Sequence, residues 1–308
     1  GDEWVLDGTK IWIGNGGIAN VHVVNAVVDP ELRTKGQALF VVPGDTPGLK
    51  LVRKLEKLGC RASHTAEIAF EDCRVPAENL LGGEERLEDR LEKARSGGGR
   101  SATLGAFEQT RPMVAAQALG IARAAFEFAC EYAGEREAFG SPIIEKEGVS
   151  FPLAELAAEI DAARLLVWRA SWMAAAGVDY KLGEGSMSKL MASEVAVRMT
   201  EKAVQVCGGW GYVRDLPVEK WYRDAKLYTI FEGTSEIQRV VIGRTLAEEA
   251  PKGPLHFGLP GDDDGLRAKL GRGSETRSKL GMALLKLAER TPEPLLKGAG
   301  RVVQPPKK

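Results

Sequence analysis

The sequence predicts an α+β multidomain protein, a small β-barrel or sandwich followed by an antiparallel four-helix-type bundle. Three observations carry this reading. Residues 1–82 run as short apolar strands broken by turn residues. Near residue 104 the apolar period changes to the helical 3.6. Beyond residue 250, Gly and Pro accumulate and the periodicity fades. The expected organisation is a β domain over 1–82, a charged, Gly-rich linker or insertion over 83–103, a helical domain over 104–250 and a Gly/Pro-rich basic tail over 251–308.

In the first stretch, Trp4-Val5-Leu6 and Thr9 to Ile13 flank Asp7-Gly8, the two-residue signal for a type I′ hairpin. Val21 to Val28 is a valine-rich strand stopped by Asp29-Pro30, and Ala38 to Val42 another, stopped by Pro43-Gly44. Leu49 to Leu55 and Ala66 to Phe70 continue the series. The charge block Glu84 to Arg90 and Gly97-Gly98-Gly99 read as a solvated excursion with a turn or two of helix. Helices are then expected from Pro112 to Tyr132, from a Ser150 cap past Trp172 to Gly177, from Lys181 to Cys207 with a Gly208-Gly209 stop, from Val218 to Tyr228, and from Thr234 or Ser235 to Ala247. A weak helix is expected at Ser278 to Arg290, in a tail carrying twice as many Lys and Arg as Asp and Glu.

Composition narrows the function. Lys and Arg total 42 against 43 Asp and Glu, so no electrostatic case exists for nucleic acid. A hydrophobic content of 44% excludes wholesale disorder. No apolar run approaches the roughly 20 residues of a membrane span. Four scattered cysteines without a CxxC argue against a disulfide scaffold or zinc site and fit a reducing cytoplasm. Three histidines without ligand spacing make a metal site unexpected. The chain opens on Gly1 inside a strand-like pattern, so it reads as a fragment.

No P-loop, dinucleotide GxGxxG or hydrolase triad is found. A carboxylate remains. Glu232 follows the apolar run Tyr228 to Phe231 and precedes a helix start, beside Gly233, which allows close approach. The helix N-terminus favours its ionised form, while burial against Phe231 opposes it. Two readings stay open on this pattern: a partner for the helix dipole, or a tuned general base.

Phe231-Glu232-Gly233-Thr234-Ser235-Glu236-Ile237-Gln238-Arg239 resembles a signature near the C-terminus of the acyl-CoA dehydrogenase family. Lys10-Ile11-Trp12-Ile13-Gly14-Asn15-Gly16-Gly17 resembles the family's K-x-W-I-[ST]-N-[GA] segment. Gly59-Cys60-Arg61-Ala62-Ser63 and Phe70 to Asn79 resemble its second β signature. Arg136-Glu137-Ala138-Phe139-Gly140 is similar to R-x-x-F-G, Gln205 to Gly211 to Q-x-x-G-G-x-G, and Tyr222 to Lys226 to x-R-D-A-K. These occur in family order across residues 1–247.

The resemblance implies FAD-dependent oxidation of the Cα–Cβ bond of an acyl-CoA thioester to a trans-2-enoyl-CoA. Glu232 takes the place of the base that removes the α proton while the β hydride passes to flavin N5. The backbone N–H there would help hold the thioester oxygen. Trp12, Ile13 and Gly14 match positions against the isoalloxazine, and Thr234 and Glu236 lie near its phosphates or adenosine. Arg136, Phe139, Gln205, Gly208 and Gly209 match residues that reach the FAD of a neighbouring subunit. Arg111, Glu108 and Gly233 match the substrate side. An electron-transfer flavoprotein is the implied acceptor, and a homotetramer or dimer of dimers the implied assembly.

The pattern also departs from the family. Its upstream all-helical domain lies outside this sequence. Gly14 replaces a Ser or Thr hydroxyl expected to reach flavin N5, and Glu236 stands where some members have Gln. Residues 84–100 and 251–308 exceed the usual lengths. The alternatives are a flavin-dependent oxidase or monooxygenase on the same fold, or a non-catalytic subunit supporting a hetero-oligomeric dehydrogenase.

Overall fold

Strand β1 (Glu3–Gly14) pairs antiparallel with β5 (Thr65–Pro76), which pairs on its other side with β4 (Leu49–Lys54). Strands β2 (Val21–Val27) and β3 (Gln37–Pro43) form a second, two-stranded sheet. These elements belong to a computed structural model that describes residues 2–98 and 102–252, with only the backbone described at 102–107. On β3 the buried residues alternate as Ala38, Phe40 and Val42, the period of a half-buried strand. They meet Ile68, Phe70 and Val75 of β5 in one core. Trp4 of β1 packs on Phe40 with ring centroids 5.3 Å apart, so the two sheets face each other as a sandwich.

The hairpin expected at Asp7-Gly8 is absent; β1 runs straight through it. Its register against β5 slips between Leu6 and Gly8, which makes a bulge. Gly8 takes φ +134, and the Asp7 carboxylate accepts the backbone N–H of Asp72 at 2.8 Å. The extra residue is on β5, where Glu71 and Asp72 stand opposite Asp7, and the pair that would turn a hairpin stays within the strand because β5 is long enough to pair with both halves. The mixed-charge stretch is a full helix, α1 (Gly83–Arg95), whose Leu87 and Leu91 pack against the β core.

Helix α2 (Ala102–Glu135) begins ten residues before the expected start at Pro112. Proline removes the donor that would pair with the Glu108 carbonyl. That carbonyl instead faces Gly185, where a Cβ would sit 2.3 Å from it. Further along α2, Ala115, Ala118, Ala122, Ala125, Ala129 and Ala133 are fully buried at helical spacing. Within Glu108–Glu135 an 18-residue window has a mean hydropathy of 1.3, and the stretch is long and apolar enough to cross a membrane on length and composition, which the sequence reading overlooked. Its alanine face is spent on the bundle, the behaviour of a core helix.

A two-stranded hairpin follows, β6 (Glu137–Ala138) with β7 (Ser141–Pro142). Helix α3 (Glu147–Ala175) then begins after Lys146, so Ser150 is not its cap; the Ser150 hydroxyl donates back to the Lys146 carbonyl at 3.2 Å. Helix α4 (Glu184–Cys207) ends at Gly208 as expected and packs Ala192, Ala196, Met199 and Ala203 into the same core as α2 and α3. Short helices α5 (Gly209–Tyr212) and α6 (Val218–Ala225) lead to α7 (Ser235–Glu249). Residues 1–249 form one compact unit. Of the second, 250–308, the described residues include only the 3-10 turn Ala250–Lys252, and the helix expected at Ser278 to Arg290 lies outside the described residues.

The sandwich docks on the bundle through two sequence motifs. The Asp224 carboxylate accepts the Cys60 backbone N–H at 2.6 Å, and Arg223 donates to the Leu58 carbonyl at 3.1 Å. A Cβ on Gly59 would lie 2.3 Å from the Arg223 carbonyl oxygen, so backbone must move to admit one. Gly59→Ala is therefore expected to lower stability by about 1–3 kcal/mol. A thermal melt checks this; an unchanged Tm refutes the tight docking of these two segments.

Candidate functional site

A 3-10 turn over Lys226–Thr229 carries the chain into Phe231, which meets Tyr228 edge to face at 5.2 Å. The next two residues, Glu232 (φ 54) and Gly233 (φ 91), are both left-handed. For a glutamate that conformation costs about 1–2 kcal/mol, so the surroundings must impose it. The Gln238 amide donates to the carbonyls of Glu232 at 3.2 Å and Gly233 at 2.8 Å. The Lys189 ammonium donates to the Gly233 carbonyl at 2.7 Å. Glycine suits position 233 because φ 91 strains any side chain, and a Cβ there would sit 2.7 Å from the Gln238 nitrogen and displace the clasp. The Thr234 hydroxyl accepts the Ile237 N–H at 3.3 Å and caps α7.

Lys189 is fully buried on α4. Burial, then the Arg111 guanidinium, push its ammonium down to about 8, while Glu232, Glu194 and Glu236 pull the other way. Arg111 pairs with Glu108 and donates to the Ser186 hydroxyl at 2.6 Å, and Ser186 N–H returns to Glu108 at 3.1 Å. Glu108, Arg111, Lys189, Glu232 and Gly233 thus form one electrostatic neighbourhood. The sequence reading missed Lys189. The available signal was a lysine at helical spacing from Gly185, Ala192, Ser193 and Ala196, all buried.

Thr234 and Glu236 line a cavity of about 210 Å³ with Ser235, Glu194, Arg198 and Lys226. The Glu236 carboxyl is held below its ordinary value, first by its own backbone N–H and then by the Thr234 hydroxyl. The Ser235 hydroxyl is buried there without a hydrogen-bond partner among the described residues. Ile13 and Gly14 line a second cavity of about 350 Å³ with Lys10, His22, Val24 and Ile68. His22 accepts the Gly17 N–H through Nε2 at 3.2 Å, while its buried Nδ1 lacks a partner among the described residues. A bulge on β1 itself, between Lys10 and Ile13, turns Trp12 outward at φ 65, where it is 69% exposed. A Cβ on Gly14 meets open space, so the missing Ser or Thr would fit.

The third group lies on an open face. Phe139 (φ 53) and Gly140 (φ 82) form the left-handed turn between β6 and β7, and Phe139 is 96% exposed. Arg136, Gln205, Gly208 and Gly209 are exposed as well. Tyr132 ties the two segments: burial raises its hydroxyl pKa, Cys207 adds to that, and Arg136 opposes it. The orphaned Ser235 and His22 atoms, each lining a cavity, and the bare glycines at 208 and 209 are compatible with a large polar cofactor such as FAD.

A sandwich docked on an antiparallel bundle, with a glutamate on a clasped left-handed turn, defines the class. The family model for the acyl-CoA dehydrogenase middle domain matches residues 1–73, and that for the C-terminal domain matches residues 97–247. The chain belongs to the acyl-CoA dehydrogenase family. It is 45% identical over 242 residues to the short-chain specific acyl-CoA dehydrogenase, mitochondrial, of Rattus norvegicus, covering 79% of this chain and 56% of that protein. The chain thus spans about half the length of the curated relatives it matches. The structure of butyryl-CoA dehydrogenase from Megasphaera elsdenii superposes with a TM-score of 0.70 at 38% identity, over 80% of this chain and 61% of that one. The prolyl acyl carrier protein oxidase AnaB superposes with a TM-score of 0.71 at 31% identity, over 80% and 62%.

Proposed function

We propose that this chain supplies the middle and C-terminal domains of an FAD-dependent dehydrogenase that converts a short acyl-CoA thioester to its trans-2-enoyl-CoA, with Glu232 as the general base. The carrying observation is the clasped Glu232–Gly233 turn inside a family signature. An α C–H next to a thioester is only weakly acidic, so its removal needs a fixed carboxylate. Glu232 takes the α proton, and the electrons of that C–H bond become the new Cα–Cβ π bond as a hydride leaves the β carbon. FAD, when bound, supplies the acceptor for that hydride. The backbone N–H of Glu232 helps polarise the thioester oxygen.

Trp12, Ile13 and Gly14 would hold the isoalloxazine, and the Thr234 and Ser235 segment at the N-terminus of α7 the phosphates, with the Glu236 carboxylate turned to the adenosine part rather than to the anionic phosphates. The exposed Arg136, Phe139, Gln205, Gly208 and Gly209 would hold the FAD of a second copy, which accounts for a phenylalanine left bare on a strained turn. An electron-transfer flavoprotein is the proposed acceptor. A short acyl chain is favoured by the names of the rat and Megasphaera relatives. The likeness to a carrier-protein oxidase supports a second reading in which oxygen takes the electrons. The test is the visible spectrum of the full protein under anaerobic butyryl-CoA. Bleaching that persists until an artificial electron acceptor is added, and barely reverses in air, is expected of a dehydrogenase. Rapid reoxidation by air favours the oxidase, and a colourless protein sinks both.

A further inference from the structure

We propose that Lys189 is a positioning residue of this site: with Gln238 it clasps the backbone carbonyls of the Glu232–Gly233 turn and so fixes where the Glu232 carboxylate stands. The inference deepens the proposed function and rests on Glu232 being the base.

The geometry assigns this role in three steps. Glu232 stands at φ 54, a conformation that a glutamate does not keep unaided. Three hydrogen bonds converge on the two carbonyls at this turn, one from Lys189 and two from Gln238. Both clasping side chains are fully buried, so water does not compete for those carbonyls. Neither clasp grips the carboxylate, which keeps its oxygens for a proton.

Packing alone does not account for a lysine at this place. A methionine would fill the same volume without desolvating a charge. The hydrogen bond of Lys189 goes to a carbonyl, not to a carboxylate. The charges facing it are Arg111 from α2, Glu194 from its own helix, Glu232 from the turn and Glu236 from α7. Its positive charge therefore stands between the arginine of the substrate side and the base, where it favours the ionised glutamate over the neutral one.

The test is anaerobic reduction of the flavin by butyryl-CoA in the full protein, comparing wild type, Lys189→Met, Lys189→Arg and Glu232→Gln. Lys189→Met is expected to keep FAD and to hold KM within about twofold. Its kcat should fall about 10–10²-fold, the cost of a misplaced reacting group. The ammonium is present below about pH 8 and lost above it, so the wild-type rate should decline as pH rises through that value. Lys189→Met should be slow and flat across the same range, and Lys189→Arg, which keeps its charge, should lack the decline. Wild-type kcat with the wild-type alkaline decline in Lys189→Met overturns the proposal. An active Glu232→Gln overturns the base reading itself, whereas an inactive Glu232→Gln beside a fully active Lys189→Met overturns only the clasp. Should Lys189→Met not fold, Gln238→Met takes its place: a lower kcat at unchanged KM is expected, and an unchanged kcat overturns the clasp.

Discussion

Glu232→Gln is expected to bind FAD like the wild type and to lose acyl-CoA-driven flavin bleaching by about 10²–10⁴-fold or more. Glutamine keeps the length and planarity of the side chain and removes its basicity. The hydrogen bonds of the clasp do not involve the changed atoms, because Lys189 and Gln238 hold the carbonyls of residues 232 and 233 and not the carboxylate, although losing the Glu232 charge removes one of the influences that raise the Lys189 pKa. The fold and the neighbouring 210 Å³ cavity therefore stay as they are. The loss should fall on kcat, since the base acts in the transition state and adds little to ground-state binding. Anaerobic stopped-flow at about 450 nm, a wavelength where oxidised flavins absorb, gives the rate directly. Near wild-type bleaching would falsify the assignment of Glu232 as the base. Loss of the flavin together with the rate would instead make the residue part of the cofactor site.

Much of this molecule is legible in its residues because its two halves use different periods. Strands β2 to β4 and helices α4, α6 and α7 lie where alternation, the 3.6 period and the glycine stop put them, while β5, expected over Ala66 to Phe70, runs on to Pro76. The errors are physical. Asp7-Gly8 fits a hairpin turn and a strand opposite a bulge alike, and only the length of β5 decides between them. Ser150 is a good cap in isolation, but the chain turns into helix at Lys146, before reaching it. Pro112 reads as a helix start; here a glycine on another helix accommodates the carbonyl it orphans. At the site, Gly233 announces a left-handed residue, yet nothing local announces that Glu232 shares that conformation. The turn is clasped by Gln238, six positions on, and by Lys189, 43 positions away, and a lysine in a helical pattern reads as solvated unless its neighbours at three and four residues are noticed. The role proposed for the open face at Phe139 and Gly208 rests only on family motifs, because no local pattern tells an exposed loop from one that would hold a cofactor.

Arg111→Met is expected to cost about 3–5 kcal/mol of stability in the full protein, the usual penalty for stranding one member of a buried ion pair. The Arg111 side chain is 5% exposed and that of Glu108 19%, so solvent screens this pair little. Removing the guanidinium leaves the Glu108 carboxylate with the Ser186 N–H and hydroxyl alone. Two terms soften the loss. The Arg111 Nε already lacks a hydrogen-bond partner among the described residues, so its burial is costly to begin with. The arginine also repels Lys189, and that repulsion disappears with it. A double-mutant cycle separates these terms. Arg111→Met with Glu108→Gln should recover a large part of the loss, because no unpaired carboxylate then remains. The same substitution makes a second, independent mark. Arg111 helps hold Lys189 near pH 8, so without it the alkaline decline in flavin reduction should move upward, towards the ordinary lysine value of 10.5. Chemical denaturation reads the first effect and the pH profile the second. An Arg111→Met protein as stable as the wild type, with its decline still near pH 8, would mean that this arginine neither anchors Glu108 nor reaches the clasp.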